Sequence, residues 1–181
     1  DSPGWSSAAV FFDYDRDGWL DLFIGQYVRY NPDKGCTTPA GAPDFCGPSA
    51  FPDQPSRLYH NEGGGRFRDV TAAAGIDAVA FSALGVVADD LDDDGWIDLY
   101  VANDGDPNTL WHNQRDGTFV DAATTWGAAV NLSGEPEASM GLVADDLDAD
   151  GRTDLFMTHL FEEKNTFYRA LGPGLGFRDD S

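Results

Sequence analysis

Apolar positions in this chain recur every second residue over short runs, as in Trp96 to Val101, or gather in brief apolar stretches such as Leu84 to Ala88. Both patterns predict β-strands, because successive side chains of a strand point to opposite faces. Gly, Asn and Asp bound the runs at regular spacing, which predicts antiparallel hairpins. No long stretch carries a helical period. Thr71 to Gly75 and Ala122 to Gly127 predict at most single helical turns, each ended by its glycine.

The pattern repeats. Gly85 to Tyr100 aligns without gaps on Gly141 to Phe156 with 11 identities in 16 positions, and Ala8 to Phe23 is a more diverged third copy. Each unit continues into a second half marked by Leu58-Tyr59-His60-Asn61, Leu110-Trp111-His112-Asn113 or Phe167-Tyr168-Arg169, then by Phe67-Arg68-Asp69, Phe119-Val120-Asp121 or Phe177-Arg178-Asp179. The expected fold is therefore all-β, built from β-propeller-type blades of about four antiparallel strands. Three repeats are predicted, at about 5–75, 82–127 and 138–181, within one domain covering 1–181. The first contains an insertion near 30–55, which holds both cysteines and six of the ten prolines. Propellers close with four to eight blades, so three predict a fragment of a longer polypeptide, an open arc capped by something else, or one segment of an assembly.

Charge sharpens this picture. Asp and Glu number 32 against 11 Lys and Arg, for a formal charge of -21, yet 41% of the chain is apolar and 13% aromatic. Such a chain predicts a folded domain that repels nucleic acid and anionic lipid and attracts cations. Either a solvated acidic surface or placed metal ligands accounts for the acids, and their spacing separates the two. No run of about 18 apolar residues exists, so no direct membrane insertion by a helix is expected. Cys36 and Cys46 flank a loop rich in Pro, Gly and Thr, where a disulfide would constrain the insertion; two free thiols are the alternative. The disulfide reading places the chain in an oxidising compartment: extracellular, cell-surface or periplasmic.

Each repeat contains one D-x-D-x-D-G-x-x-D loop. The candidate metal ligands are the side chains of Asp13, Asp15, Asp17 and Asp21 with the Trp19 carbonyl, of Asp90, Asp92, Asp94 and Asp98 with the Trp96 carbonyl, and of Asp146, Asp148, Asp150 and Asp154 with the Arg152 carbonyl. Carboxylates at positions 1, 3 and 5 converge if the loop wraps, and the glycine at position 6 supplies the positive φ that wraps it. Hard oxygen donors in irregular geometry select calcium over magnesium, giving about three Ca²⁺ per chain. An EF-hand needs an acid at position 12, but Ile24, Val101 and Met157 stand there. The alternative is a set of metal-free Asp-Gly turns.

The segment Ala88 to Val101, with Asn103-Asp104-Gly105, Pro107-Asn108 and Phe119-Val120-Asp121, resembles the FG-GAP or VCBS repeats of integrin α-chain propellers and of bacterial relatives of cartilage acidic protein that often carry an UnbV-type segment. That resemblance implies a seven-bladed propeller in which calcium clamps a loop within each blade, usually in secreted or cell-surface proteins. The expected function is a non-enzymatic calcium-binding module for a protein or glycan partner. A structural subunit of a larger assembly and a calcium-dependent carbohydrate-active enzyme, lyase or hydrolase, are the alternatives. For an enzyme, Glu62, Glu135, Glu137, Glu162 and Glu163 are the acids outside the loops. Asn103 to Asn108 reads as a polar turn or a further oxygen-rich site, and His60 and His112 as packing or hydrogen-bonding residues.

Overall fold

The computed structural model describes residues 4–181. The chain is all-β, and its strands form three four-stranded antiparallel sheets with their strands in sequential order. Blade 1 comprises β1 (Ser6–Phe12), β2 (Asp21–Gln26), β5 (Arg57–Asn61) and β6 (Phe67–Asp69). Blade 2 comprises β7 (Ala83–Asp89), β8 (Asp98–Asn103), β9 (Thr109–Asn113) and β10 (Phe119–Asp121). Blade 3 comprises β11 (Gly141–Asp145), β12 (Asp154–Thr158), β13 (Thr166–Ala170) and β14 (Phe177–Asp179). The insertion adds a ribbon, β3 (Cys36–Thr37) with β4 (Pro43–Asp44), closed by a Cys36–Cys46 disulfide and pinched at its base by the Val28–Asp53 bridge. The segments after β6 and β10 each make one helical turn, with Ala74 N–H bonded to Val70 C=O and Trp126 N–H to Ala122 C=O.

The blades stack through their inner strands, β1 beside β7 and β7 beside β11. Close approach there requires small residues. A side chain at Gly85 would meet Leu142 Cβ at 3.3 Å, and Ser7 Oγ bridges the first pair by donating to Ala83 C=O at 2.6 Å. Outward from this seam lie two apolar cores, one per interface. Phe12, Tyr14, Phe23, Leu58 and Ile76 of blade 1 and its connection pack on Leu99, Val101, Trp111 and Phe119 of blade 2. Tyr100 and Leu110, on the other face of blade 2, pack on Leu155, Met157, Tyr168 and Phe177 of blade 3. Alternation along each strand thus gives every blade two apolar faces, one for each neighbour.

Repeat-equivalent positions show where the array lacks neighbours. Phe67 is 42% exposed, whereas the equivalent Phe119 and Phe177 are buried at 3% and 5%. On the opposite side Phe156 is 36% exposed, whereas the equivalent Phe23 and Tyr100 are fully buried. The blades at each end present the face that an adjoining blade would cover, and the described sheets do not close a ring. The same comparison sets stability expectations. Tyr100→Ala removes a buried ring and the hydrogen bond from its hydroxyl to Ala128 C=O, and should cost about 3–5 kcal/mol. Phe156→Ala, at the matching but exposed position, should cost less than about 1 kcal/mol. Urea denaturation of the two variants measures the difference, and equal costs would contradict an open outer face on blade 3.

Candidate metal centre

In each blade the D-x-D-x-D-G-x-x-D segment is the turn joining the first strand to the second: Asp13–Asp21 between β1 and β2, Asp90–Asp98 between β7 and β8, and Asp146–Asp154 between β11 and β12. All three turns wrap alike. The position 1 carboxylate accepts from the N–H groups at positions 5 and 6, at 3.2 and 3.0 Å in loop 1, 3.0 and 2.7 Å in loop 2, and 3.0 and 2.9 Å in loop 3. The glycine at position 6 has φ near +88° in each, as the spacing predicts. Position 4 also lies in the left-handed region, through Arg16, Asp93 and Ala149, and nothing in those residue types signalled it.

Position 9 opens the second strand and is buried in all three blades. Asp21 accepts N–H bonds from Asn61 at 2.8 Å and Tyr14 at 3.3 Å, Asp98 from Asn113 at 2.8 Å and Leu91 at 3.2 Å, and Asp154 from Ala170 at 2.9 Å and Leu147 at 3.2 Å. One carboxylate therefore ties the loop to the third strand of its own blade. A buried carboxylate with unmatched charge is costly, and burial pushes Asp21 above its ordinary range and Asp98 up to about 6. Burial, reinforced by the neighbouring Asp94, also raises Asp92.

Oxygen atoms from positions 1, 3 and 9 lie within 4.8 Å of one another in every loop: Asp13, Asp15 and Asp21; Asp90, Asp92 and Asp98; Asp146, Asp148 and Asp154. The donor set fits a hard divalent cation, since it consists of carboxylate oxygens with one buried member and no soft ligand. The position 5 residues stand differently. Asp17, Asp94 and Asp150 each accept the N–H of position 7, from Trp19, Trp96 and Arg152, at 2.7–3.0 Å. Asp17 and Asp94 group instead with a histidine, as Asp15, Asp17 and His60 and as Asp92, Asp94 and His112.

Those histidines are the neighbours that residue spacing alone did not bring to the loops. His60 Nδ1 lies 3.2 Å from Asp21 and 3.4 Å from Asp15, and His112 Nδ1 lies 3.2 Å from Asp98. Their repeat equivalent, Arg169, donates to Asp148. The available signal was their shared position one residue before Asn61 and Asn113, whose side chains donate to Leu20 and Ile97 carbonyls of the loops. Asn113 reaches across the blade interface as well, to Tyr14 C=O at 2.9 Å.

Residues 41–101 and 90–157 match the FG-GAP-like repeat family, well over half of the sequence. The chain belongs to the FG-GAP-like repeat family. Over 88 residues, 49% of its length, this FG-GAP-like repeat chain is 33% identical to cartilage acidic protein 1 of Homo sapiens and 32% identical to that of Mus musculus. It spans 13% of the length of each of these relatives.

The remaining sequence candidates lie outside the three oxygen clusters. Asn103 and Asn108 are buried and bonded to each other's segment, Asp104 accepts from the Tyr27 hydroxyl at 2.5 Å, and Asp106 accepts from Ser82 N–H. Glu62 pairs with Arg68, Glu137 accepts from Thr166, and Glu163 accepts from the Ala138 and Leu160 N–H groups. His159, equivalent to Asn103 and Gln26, buries its side chain, meets Thr166 Oγ1 at 2.9 Å and lies 3.5 Å from the Glu137 carboxylate.

The raised Asp98 carries a pH consequence. A carboxyl with a higher pKa folded than unfolded stabilises the metal-free fold below the unfolded value, and that contribution is lost as pH rises through the folded value. The metal-free chain should therefore lose stability between about pH 4 and pH 6 as Asp98 ionises. Chemical denaturation at a series of pH values in EGTA tests this. Asp98→Asn should flatten the profile, and an unchanged slope would remove Asp98 as its source.

Proposed function

We infer that the chain is a calcium-stabilised, non-enzymatic binding module of an extracellular propeller. The observation that carries this reading is the threefold recurrence of an oxygen cluster around a buried aspartate, with loop geometry alike in all three blades. Calcium suits it better than magnesium, because magnesium retains waters and demands a regular octahedron. The ion's role is structural. It neutralises carboxylates at the turn between the first two strands, and three divalent ions would bring the formal charge of -21 to about -15.

The disulfide and the secreted or cell-surface habit of the resembled repeats support an extracellular, cell-surface or periplasmic setting. No helix among the described residues is long and apolar enough to cross a membrane. Glu62 pairs with Arg68 while Glu137 and Glu163 hold connections, and Glu135 and Glu162 are exposed, which favours binding over catalysis. The partner is a protein or glycan, and the insertion supports a place for it. Trp5, Tyr30, Lys34, Asp44, Phe45 and Phe51 line a cleft of about 720 Å³, within the range of ligand pockets. It lies at the end of blade 1 opposite the metal loop, since its residues precede β1 and follow β2 while the loop joins the other ends of those strands. The exposed outer faces of blades 1 and 3 support further blades in the same polypeptide or assembly.

Thermal unfolding of the purified chain in EGTA and in excess calcium, with a count of bound metal, tests the reading. About three ions per chain and a rise in Tm of at least about 5 °C are expected, since a site at a hundredfold excess over its Kd contributes about 2.7 kcal/mol. Absence of both bound metal and shift would reduce the loops to ordinary Asp-Gly turns.

A further inference from the structure

The three loops share one ligand pattern but differ in the fixed cations that touch it. In loop 1 no guanidinium among the described residues is bonded to Asp13, Asp15, Asp17 or Asp21, and the loop's own Arg16 lies over the Trp96 ring of the next blade, 4.4 Å from its centroid. In loop 2 Arg115 donates through Nε and Nη2 to Asp94 Oδ2, at 2.8 and 2.5 Å. Loop 3 carries two such contacts. Arg152 donates to Asp150 Oδ2 at 2.8 Å, and Arg169 donates to Asp148 Oδ2 while its Nε is anchored on Asp180 at 2.8 Å. Asp148 belongs to the oxygen cluster of its loop, so Arg169 is bonded to a carboxylate of the ligand set itself. Blades 1 and 2 place His60 and His112 at the position of Arg169.

We propose that these arginines are built-in counter-ions that grade the three sites, so that loop 1 holds calcium most tightly, loop 2 less tightly and loop 3 least. The proposal rests on the calcium reading above. A guanidinium is permanently charged and bonds carboxylates in a fixed geometry. Where it is bonded to a ligand oxygen, an arriving cation must displace it or share that oxygen, and the repulsion that calcium would relieve is already smaller. The same contacts hold loop 3 together without metal, so blade 3 keeps its turn at calcium levels that empty its site. Arg169 and Arg115 are partly solvent-exposed, which moderates the effect to about three- to tenfold in Kd per arginine.

Calorimetric calcium titration of the full chain should resolve a weakest site that disappears in Asp146→Asn and persists in Asp13→Asn. Arg169→His, which gives blade 3 the residue type of blades 1 and 2, should tighten that site about three- to tenfold and leave the other two unmoved. In the unaltered chain, the Arg169 Nε–H resonance should shift only in the last step of an NMR titration. Three equal sites, a weakest site that maps to loop 1, or an unmoved constant in Arg169→His would overturn the grading while leaving the calcium reading intact. Absence of any calcium binding would overturn both.

Discussion

A carboxylate buried at the start of the second strand is the constraint around which each blade is arranged. Asp21, Asp98 and Asp154 sit at essentially zero exposure, each accepting one N–H from its own loop and one from the third strand. Charge in that position is expensive unless it is bonded and offset. Two backbone donors supply part of the compensation, and the turn then crowds two further carboxylates against the same point. Such crowding disfavours ionisation of the whole set and makes a divalent cation the natural completion of the site.

The loops also belong to the stacking of the blades. Position 2 points away from the carboxylate cluster into the next interface: Tyr14 packs against Phe119 with ring centroids 6.0 Å apart, and Leu91 lies in the second core. Leu147, the equivalent in blade 3, is 45% exposed because no further blade among the described residues stands beside it. A change at one loop is thus felt by its own hairpin and by the adjoining blade. This coupling suits a quasi-one-dimensional array, whose stability is a sum of units and nearest-neighbour contacts.

Work is divided between the two ends of the blades. One end carries the repeated loops, where the carboxylate pattern is constant while the arginines bonded to it, Arg115, Arg152 and Arg169, differ from loop to loop. At the other end the repeat is broken by the disulfide-closed insertion, and there the aromatic residues Trp5, Tyr30 and Phe51 pack edge to face or tilted around a cleft. A scaffold held by repeated local chemistry tolerates such an insertion because loop closure costs grow slowly with length.

Much of this was legible in the residues themselves. Period-two alternation bounded by Asp, Asn and Gly determined the strands and their grouping in fours, because the side-chain period of a strand leaves a direct mark on the sequence. The recurrence of D-x-D-x-D-G-x-x-D marked the loops and the glycine that wraps them, since both are local features of the backbone. What only the tertiary structure decided depends on distant segments meeting. The partnership of His60 and His112 with loops some 40 and 14 positions earlier arises from strand register, as Asp21 and Asp98 sit one strand away from their partners. Burial of the ninth aspartate, the hold of Arg169 on Asp148, and the exposure of Phe67 and Phe156 likewise follow from packing between sheets and blades. Residue type fixes which contacts a side chain is able to make, but only the packed array determines which of them come within reach.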